Sequence, residues 1–105
     1  MSAPSRKQRI LDMLLEAPDD PELRYMLAME YAAEGNDGEA ARCFEELIAI
    51  DPNHAPAYHM GARALVRLDR ISEAKAMLER GIPAALAQGN EHAAGEMQEL
   101  LAGLE

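Results

Sequence analysis

Apolar residues recur along this chain at three- and four-residue steps, the spacing that lays one face of an α-helix against a core. Six stretches show it. Residues about 5–16 carry Ile10, Leu11, Leu14 and Leu15; about 21–34 carry Leu23, Leu27, Ala28 and Tyr31; about 38–50 carry Ala40, Phe44, Leu47 and Ile48. Residues about 55–68 carry Tyr58, Ala62 and Leu65; about 71–88 carry Ala74, Met77, Leu78 and Ile82; about 91–104 carry Ala94, Met97, Leu100, Leu101 and Leu104. Turn-forming residues separate them: Pro18 with Pro21, Gly35-Asn36-Asp37-Gly38, Asp51-Pro52-Asn53, Leu68-Asp69-Arg70 and Gly89-Asn90. Pro21 suits a first helical turn, and Asp37 is placed to cap the third helix. Pro83 predicts a kink or break near Glu79–Pro83, because a mid-helix proline removes one ladder hydrogen bond at about 3 kcal/mol.

Composition narrows the fold class further. Thr and Trp are absent, Val66 is the only valine, and five isoleucines complete the β-branched set, so a pleated sheet would lack the side chains that fit it. An all-β fold is excluded and an α/β fold nearly so. The 105 residues suffice for one domain of six helices joined by short turns.

A second period overlies the helical one. Shifting the sequence by 34 residues places Ala28 on Ala62, Tyr31 on Leu65, Glu39-Ala40 on Glu73-Ala74, Phe44 on Leu78 and Ile48 on Ile82. The same shift places Ile10 on Phe44, Leu14 on Ile48 and Pro18 on Pro52. Small residues at Ala28, Ala40, Ala62 and Ala74 let paired helices approach, while Tyr31, Phe44, Leu65 and Leu78 fill the space between pairs. One helix pair cannot cover its own apolar face, and about three are needed for stability. Two repeats with a flanking helix at each end supply three pairs.

These residues resemble the tetratricopeptide repeat (TPR), a helix–turn–helix unit of this period. The first repeat carries Leu27-Ala28, Tyr31, Gly35, Ala40, Phe44 and Asp51-Pro52-Asn53, with Arg24 where the pattern has an aromatic and Tyr25 beside it. The second carries Tyr58, Ala62, Leu65, Ala74 and Leu78; it departs by Gly61 at a large position, Gly81 at a small one, and no closing proline. The stretch from Pro21 to Tyr31 is similar to small stand-alone bacterial TPR proteins. The resemblance implies an all-α, TPR-like right-handed array of antiparallel helix pairs. It divides the single domain, residues 1–105, into an N-terminal helix (5–16), repeats at 21–54 and 55–88, and a C-terminal capping helix (90–105) with a polar face.

Charge and chemistry then limit the function. Nineteen Asp and Glu face ten Lys and Arg, a formal charge of −9, and such a field repels polyphosphate and anionic membrane surfaces. Nucleic-acid and membrane partners are not expected. Arg6, Lys7 and Arg9 precede an apolar run of only six residues interrupted by Asp12, short of the roughly 7–15 apolar residues of a secretory leader. The expected compartment is the cytoplasm, which suits the single, unpaired Cys43. Cys43 sits among Glu39, Glu45 and Glu46, which favour a protonated thiol over a nucleophile. His54, His59 and His92 have no metal-ligand spacing, no serine lies in a nucleophile-elbow context, and no phosphate-binding loop is present. No enzyme activity, metal or cofactor is expected.

The resemblance implies that the first helix of each repeat lines an inner groove. Residues outside the packing pattern point there: Glu22, Tyr25, Met26, Met29 and Ala33 from one repeat, and His59, Met60, Arg63, Val66 and Arg67 from the other. The candidate site is Tyr25, Met26, Met29, His59, Arg63 and Arg67. Methionines adapt to varied apolar partners, and two arginines one turn apart can fork onto carboxylate. The expected function is an adaptor that binds a protein or peptide. In the competing reading, Tyr25, Met26 and Met29 pack within the fold, and Arg63 and Arg67 pair internally. Residues 1–50 carry a net charge of −6 and residues 55–80 one of +2, so self-association into a homo-oligomer is the alternative function.

Overall fold

All six amphipathic segments are helices. The computed structural model describes residues 3–105, in which α1 (Arg6–Glu16), α2 (Pro21–Ala33), α3 (Asp37–Ile50), α4 (Ala55–Arg67), α5 (Ile71–Ala87) and α6 (Glu91–Leu104) follow one another with no strand among the described residues. Each helix packs against the next, and α6 also rests on α4. The result is an elongated array of 49 × 28 × 20 Å.

Side-chain caps start five of the helices. Asp20 accepts from the backbone N–H of Glu22 and Leu23 at 2.9 and 3.3 Å, and Asn90 from that of Ala93 at 3.1 Å. Ser5 caps α1, and His54 caps α4 through Nδ1, which accepts from Ala57 N–H at 3.3 Å. Each such cap satisfies an orphan donor and contributes about 1 kcal/mol. For α3 the cap is Asn36, not the expected Asp37, which is the first helical residue. The carboxylate of Asp37 instead reaches Arg67.

The 34-residue period extends to the turns. Gly35 has φ +78° and closes α2 with bonds from Gly35 N–H to Ala32 O and Asn36 N–H to Tyr31 O. One period later Asp69 has φ +60°, with Asp69 N–H to Val66 O and Arg70 N–H to Leu65 O. Aspartate is among the few side chains that tolerate this left-handed region, so the same reversal forms without glycine. The turns into α2 and α4 match too: Ala17 N–H bonds Met13 O as Asp51 N–H bonds Leu47 O.

Period and core coincide. Ile10, Phe44 and Leu78, spaced by 34 residues, are 1%, 0% and 0% exposed. Ala28 with Ala62, and Ala40 with Ala74, are fully buried at the close contacts between helices. Gly61 and Gly81, the departures from the pattern, are also buried. A Cβ on Gly61 would lie 2.6 Å from Met77 Sδ and 3.1 Å from Phe44 Cβ, and one on Gly81 2.5 Å from Tyr58 Cβ. Both glycines therefore sit at tight helix contacts, Gly61 where the repeat pattern has a large residue and Gly81 where it has a small one.

Of the kink or break expected near Glu79–Pro83, the break does not occur, since α5 runs continuously from Ile71 to Ala87. Pro83 and Glu79 are both exposed, so water can serve the carbonyl that the missing N–H leaves free. Met77, Leu78, Gly81 and Ala85 hold the helix against the core through the proline turn.

Candidate functional site

A groove with apolar and cationic side chains lies along α2 and α4. Met29, Ala32 and Ala33 of α2 face Met60, Arg63 and Arg67 of α4 across a pocket of about 290 Å³, with Phe44 as its floor. Met29 is exposed at 37%, while Phe44 is fully covered. The methionines line the walls and the arginines stand on the α4 side.

Of the six candidate residues, three line this pocket: Met29, Arg63 and Arg67. Arg67 Nε donates to Asp37 Oδ1 at 2.8 Å, tying α4 to the start of α3. Arg63 has no carboxylate within 4.0 Å among the described residues. The two arginines therefore differ: Arg67 is held in place by Asp37, and Arg63 has no carboxylate partner among the described residues.

Tyr25 sits deeper. Its half-buried ring lies 6.0 Å from that of Phe44 and 5.1 Å from that of His54, between α2, α3 and the start of α4. Its place is the wall of the array, and burial pushes its phenol above the ordinary range. Met26 lines a separate pocket of about 310 Å³ between α1 and α2, with Arg6, Arg9, Ile10 and Met13. His59 lies on the other side of α4, where Arg63, Glu96, Glu99 and Leu100 complete a shallow depression against α6. Burial lowers the imidazole pKa from its ordinary 6.5, Glu96 opposes the shift and Arg63 adds to it, so His59 is mainly neutral at pH 7.

Sequence reasoning did not identify Phe44 as the pocket floor, nor Arg9 and Met13 as lining the α1–α2 pocket, nor Glu96 and Glu99 as lining the α4–α6 depression. Phe44 belongs to the core period and reads as structural. The α1 and α6 residues belong to helices that only complete the outer pairs, and no repeat offset connects them to the groove.

Among the described residues no three His, Cys, Asp or Glu side chains gather as a metal site would need, and no helix is long and apolar enough to cross a membrane. Cys43 is 5% exposed, and burial, followed by Glu46, pushes its thiol up to about 11. The native protein should thus react negligibly with an aromatic disulfide reagent at pH 8, and release one equivalent per chain once unfolded in urea. Labelling that is fast in the folded state at pH 8 would contradict this burial.

Comparison with known proteins gives a consistent result. A family profile described as "Tetratricopeptide repeat" matches residues 31–102. A tetratricopeptide repeat domain protein from Salinibacter ruber, solved by NMR, is 33% identical with a TM-score of 0.78; the match covers 84% of this chain and 89% of that one. A crystal structure of a tetratricopeptide repeat domain protein from the same organism is 32% identical, with a TM-score of 0.76 and coverage of 81% and 94%. A solution structure of a Bordetella parapertussis protein, 24% identical over 97% of this chain and 89% of that one, shares the fold with a TM-score of 0.83. No curated protein matches by sequence. Helix hairpins repeating every 34 residues and a profile match over residues 31–102 lead to one assignment: this chain belongs to the tetratricopeptide repeat family.

Proposed function

We propose that this chain is a non-catalytic adaptor that holds a peptide-like segment of a protein partner in the groove between α2 and α4. Members of its family generally mediate protein–protein interaction. The observation that carries the reading is the pocket itself: Met29 and Met60 supply adaptable apolar walls above Phe44, and Arg63 stands beside them without an internal partner. Burial of an apolar ligand side chain there supplies affinity, and a carboxylate on the ligand would meet the Arg63 guanidinium. Arg67, anchored on Asp37, sets the shape of the rim. The unpaired buried thiol suits a reducing compartment, and we place the protein in the cytoplasm.

Chemical crosslinking in lysate with wild type and with Arg63→Glu/Arg67→Glu checks this reading. The double variant should lose the principal wild-type partners by at least about ten-fold while keeping its helical signal. Identical partner sets would remove the groove from the function. The alternative, self-association driven by the −6 and +2 halves, is eliminated by a clean monomer in light scattering at high micromolar concentration.

A further inference from the structure

Cations are scarce on this protein, ten against nineteen carboxylates, so a cation without a carboxylate neighbour is the exception. Among the described residues only Arg9, Arg63 and Lys75 have none within 4.0 Å; the other seven are all paired. Arg9 and Arg63 each stand beside two methionines, although Arg63 also borders the depression that holds Glu96 and Glu99. Arg9 lines the α1–α2 pocket with Met13 and Met26, and Arg63 lines the α2–α4 pocket with Met29 and Met60. Met26 and Met29 lie three residues apart and project from one ridge of α2, so the two pockets flank that ridge. Each offers two methionines and one unpaired guanidinium.

We infer that the α2 ridge is the centre of a two-pocket site for an acidic segment carrying two apolar anchors, each with a carboxylate beside it. The inference rests on the groove reading and extends it to α1. The two pockets flank α2, and a helix with its side chains is about 10 Å across, so the anchors must be spaced by about 10 Å. A helix meets that spacing with anchors seven residues apart (about 1.5 Å per residue), and a polyproline II segment with anchors three apart (about 3.1 Å per residue). Glu96 and Glu99 bound the α4–α6 depression and repel a ligand carboxylate on that side, so the acidic segment runs from Arg63 toward Arg9. A second copy of this chain docking through α6 fits less well. Its α6 offers carboxylates, but Leu100, Leu101 and Leu104 turn toward its own core and leave no anchors.

The test is selection of a random dodecapeptide display library on the full chain, followed by fluorescence anisotropy of the winning peptides against wild type, Arg9→Glu, Arg9→Gln and Arg63→Glu. Arg9 and Arg63 are exposed, so the variants should keep their fold, which circular dichroism verifies. The winners should be acidic with two apolar residues three or seven apart. Each charge reversal should weaken them about ten-fold or more, and Arg9→Gln by less. Winners that are neutral or basic, or acidic winners that bind Arg9→Glu as tightly as wild type, would overturn the two-pocket site. In the second case, loss on Arg63→Glu alone leaves the groove reading standing. A library that yields no binder removes the groove reading itself. A wild-type dimer that Arg9→Glu dissociates would assign these pockets to a second copy and overturn the inference.

Discussion

Replacing Phe44 with alanine is expected to lower the unfolding free energy by about 3–5 kcal/mol. Its ring is fully buried, packs 6.0 Å from the Tyr25 ring, and lies where α3 meets both α2 and α4. The methionines beside it, Met29, Met60 and Met77, can refill only part of the space that a whole ring leaves. Tyr25 is fixed by its contact with His54, and the Gly61 backbone behind Phe44 Cβ has no side chain to lend. A domain of this size is stable by about 5–15 kcal/mol, so the variant is expected to be marginal or largely unfolded at 37 °C. Urea titration followed by helical circular dichroism reads the change as a lowered midpoint at unchanged slope. A loss below about 1 kcal/mol would show that the joint between helix pairs is not built on this ring. Because Phe44 is also the floor of the α2–α4 pocket, any variant that still folds should bind groove ligands more weakly.

The second large effect is a change of sign between two identical substitutions. Gly81→Ala should destabilise the protein by about 2 kcal/mol, although alanine is the better helix former by about 1 kcal/mol. The added methyl would lie 2.5 Å from Tyr58 Cβ, an atom attached directly to the α4 backbone, and 2.8 Å from Met97 Sδ. Tyr58 cannot swing aside without giving up the bond from its hydroxyl to Pro52 O at 2.8 Å, so α5 and α4 must separate. Gly95→Ala in α6 meets nothing within 4 Å and should stabilise the protein by about 0.5–1 kcal/mol. Gly61→Ala falls between, because flexible Met77 takes the closest contact. The same urea measurement on the three variants checks the order. Equal effects at Gly81 and Gly95 would mean that the α4–α5 contact is looser than described.

Much of this architecture is local information. Apolar spacing, caps and turn residues mark the six helices because each depends on partners within four or five positions. The recurrence of Ile10, Phe44 and Leu78, and of Ala28 and Ala62, reveals stacked hairpins because identical neighbours demand identical contacts. The left-handed Asp69 was less visible, since its match to Gly35 rests on backbone shape and not on residue type. The break at Pro83 is averted for a related reason. The proline's cost is local and legible, while the burial of Met77, Leu78, Gly81 and Ala85 that keeps α5 continuous comes from other helices.

The candidate site divides along the same line. By itself, the sequence placed methionines, an aromatic and arginines on the first helices of the repeats, and left open whether they face a ligand or pack within the fold. Only the tertiary structure decided what each of them does. It turned Tyr25 against His54, bound Arg67 to Asp37 thirty residues away, left Arg63 and Arg9 without carboxylates, and opened one pocket on each side of α2. Helical periodicity specifies the direction in which a side chain leaves its own helix. What it meets there depends on the separation of neighbouring helices, which residues such as Gly61 and Gly81 set across the fold.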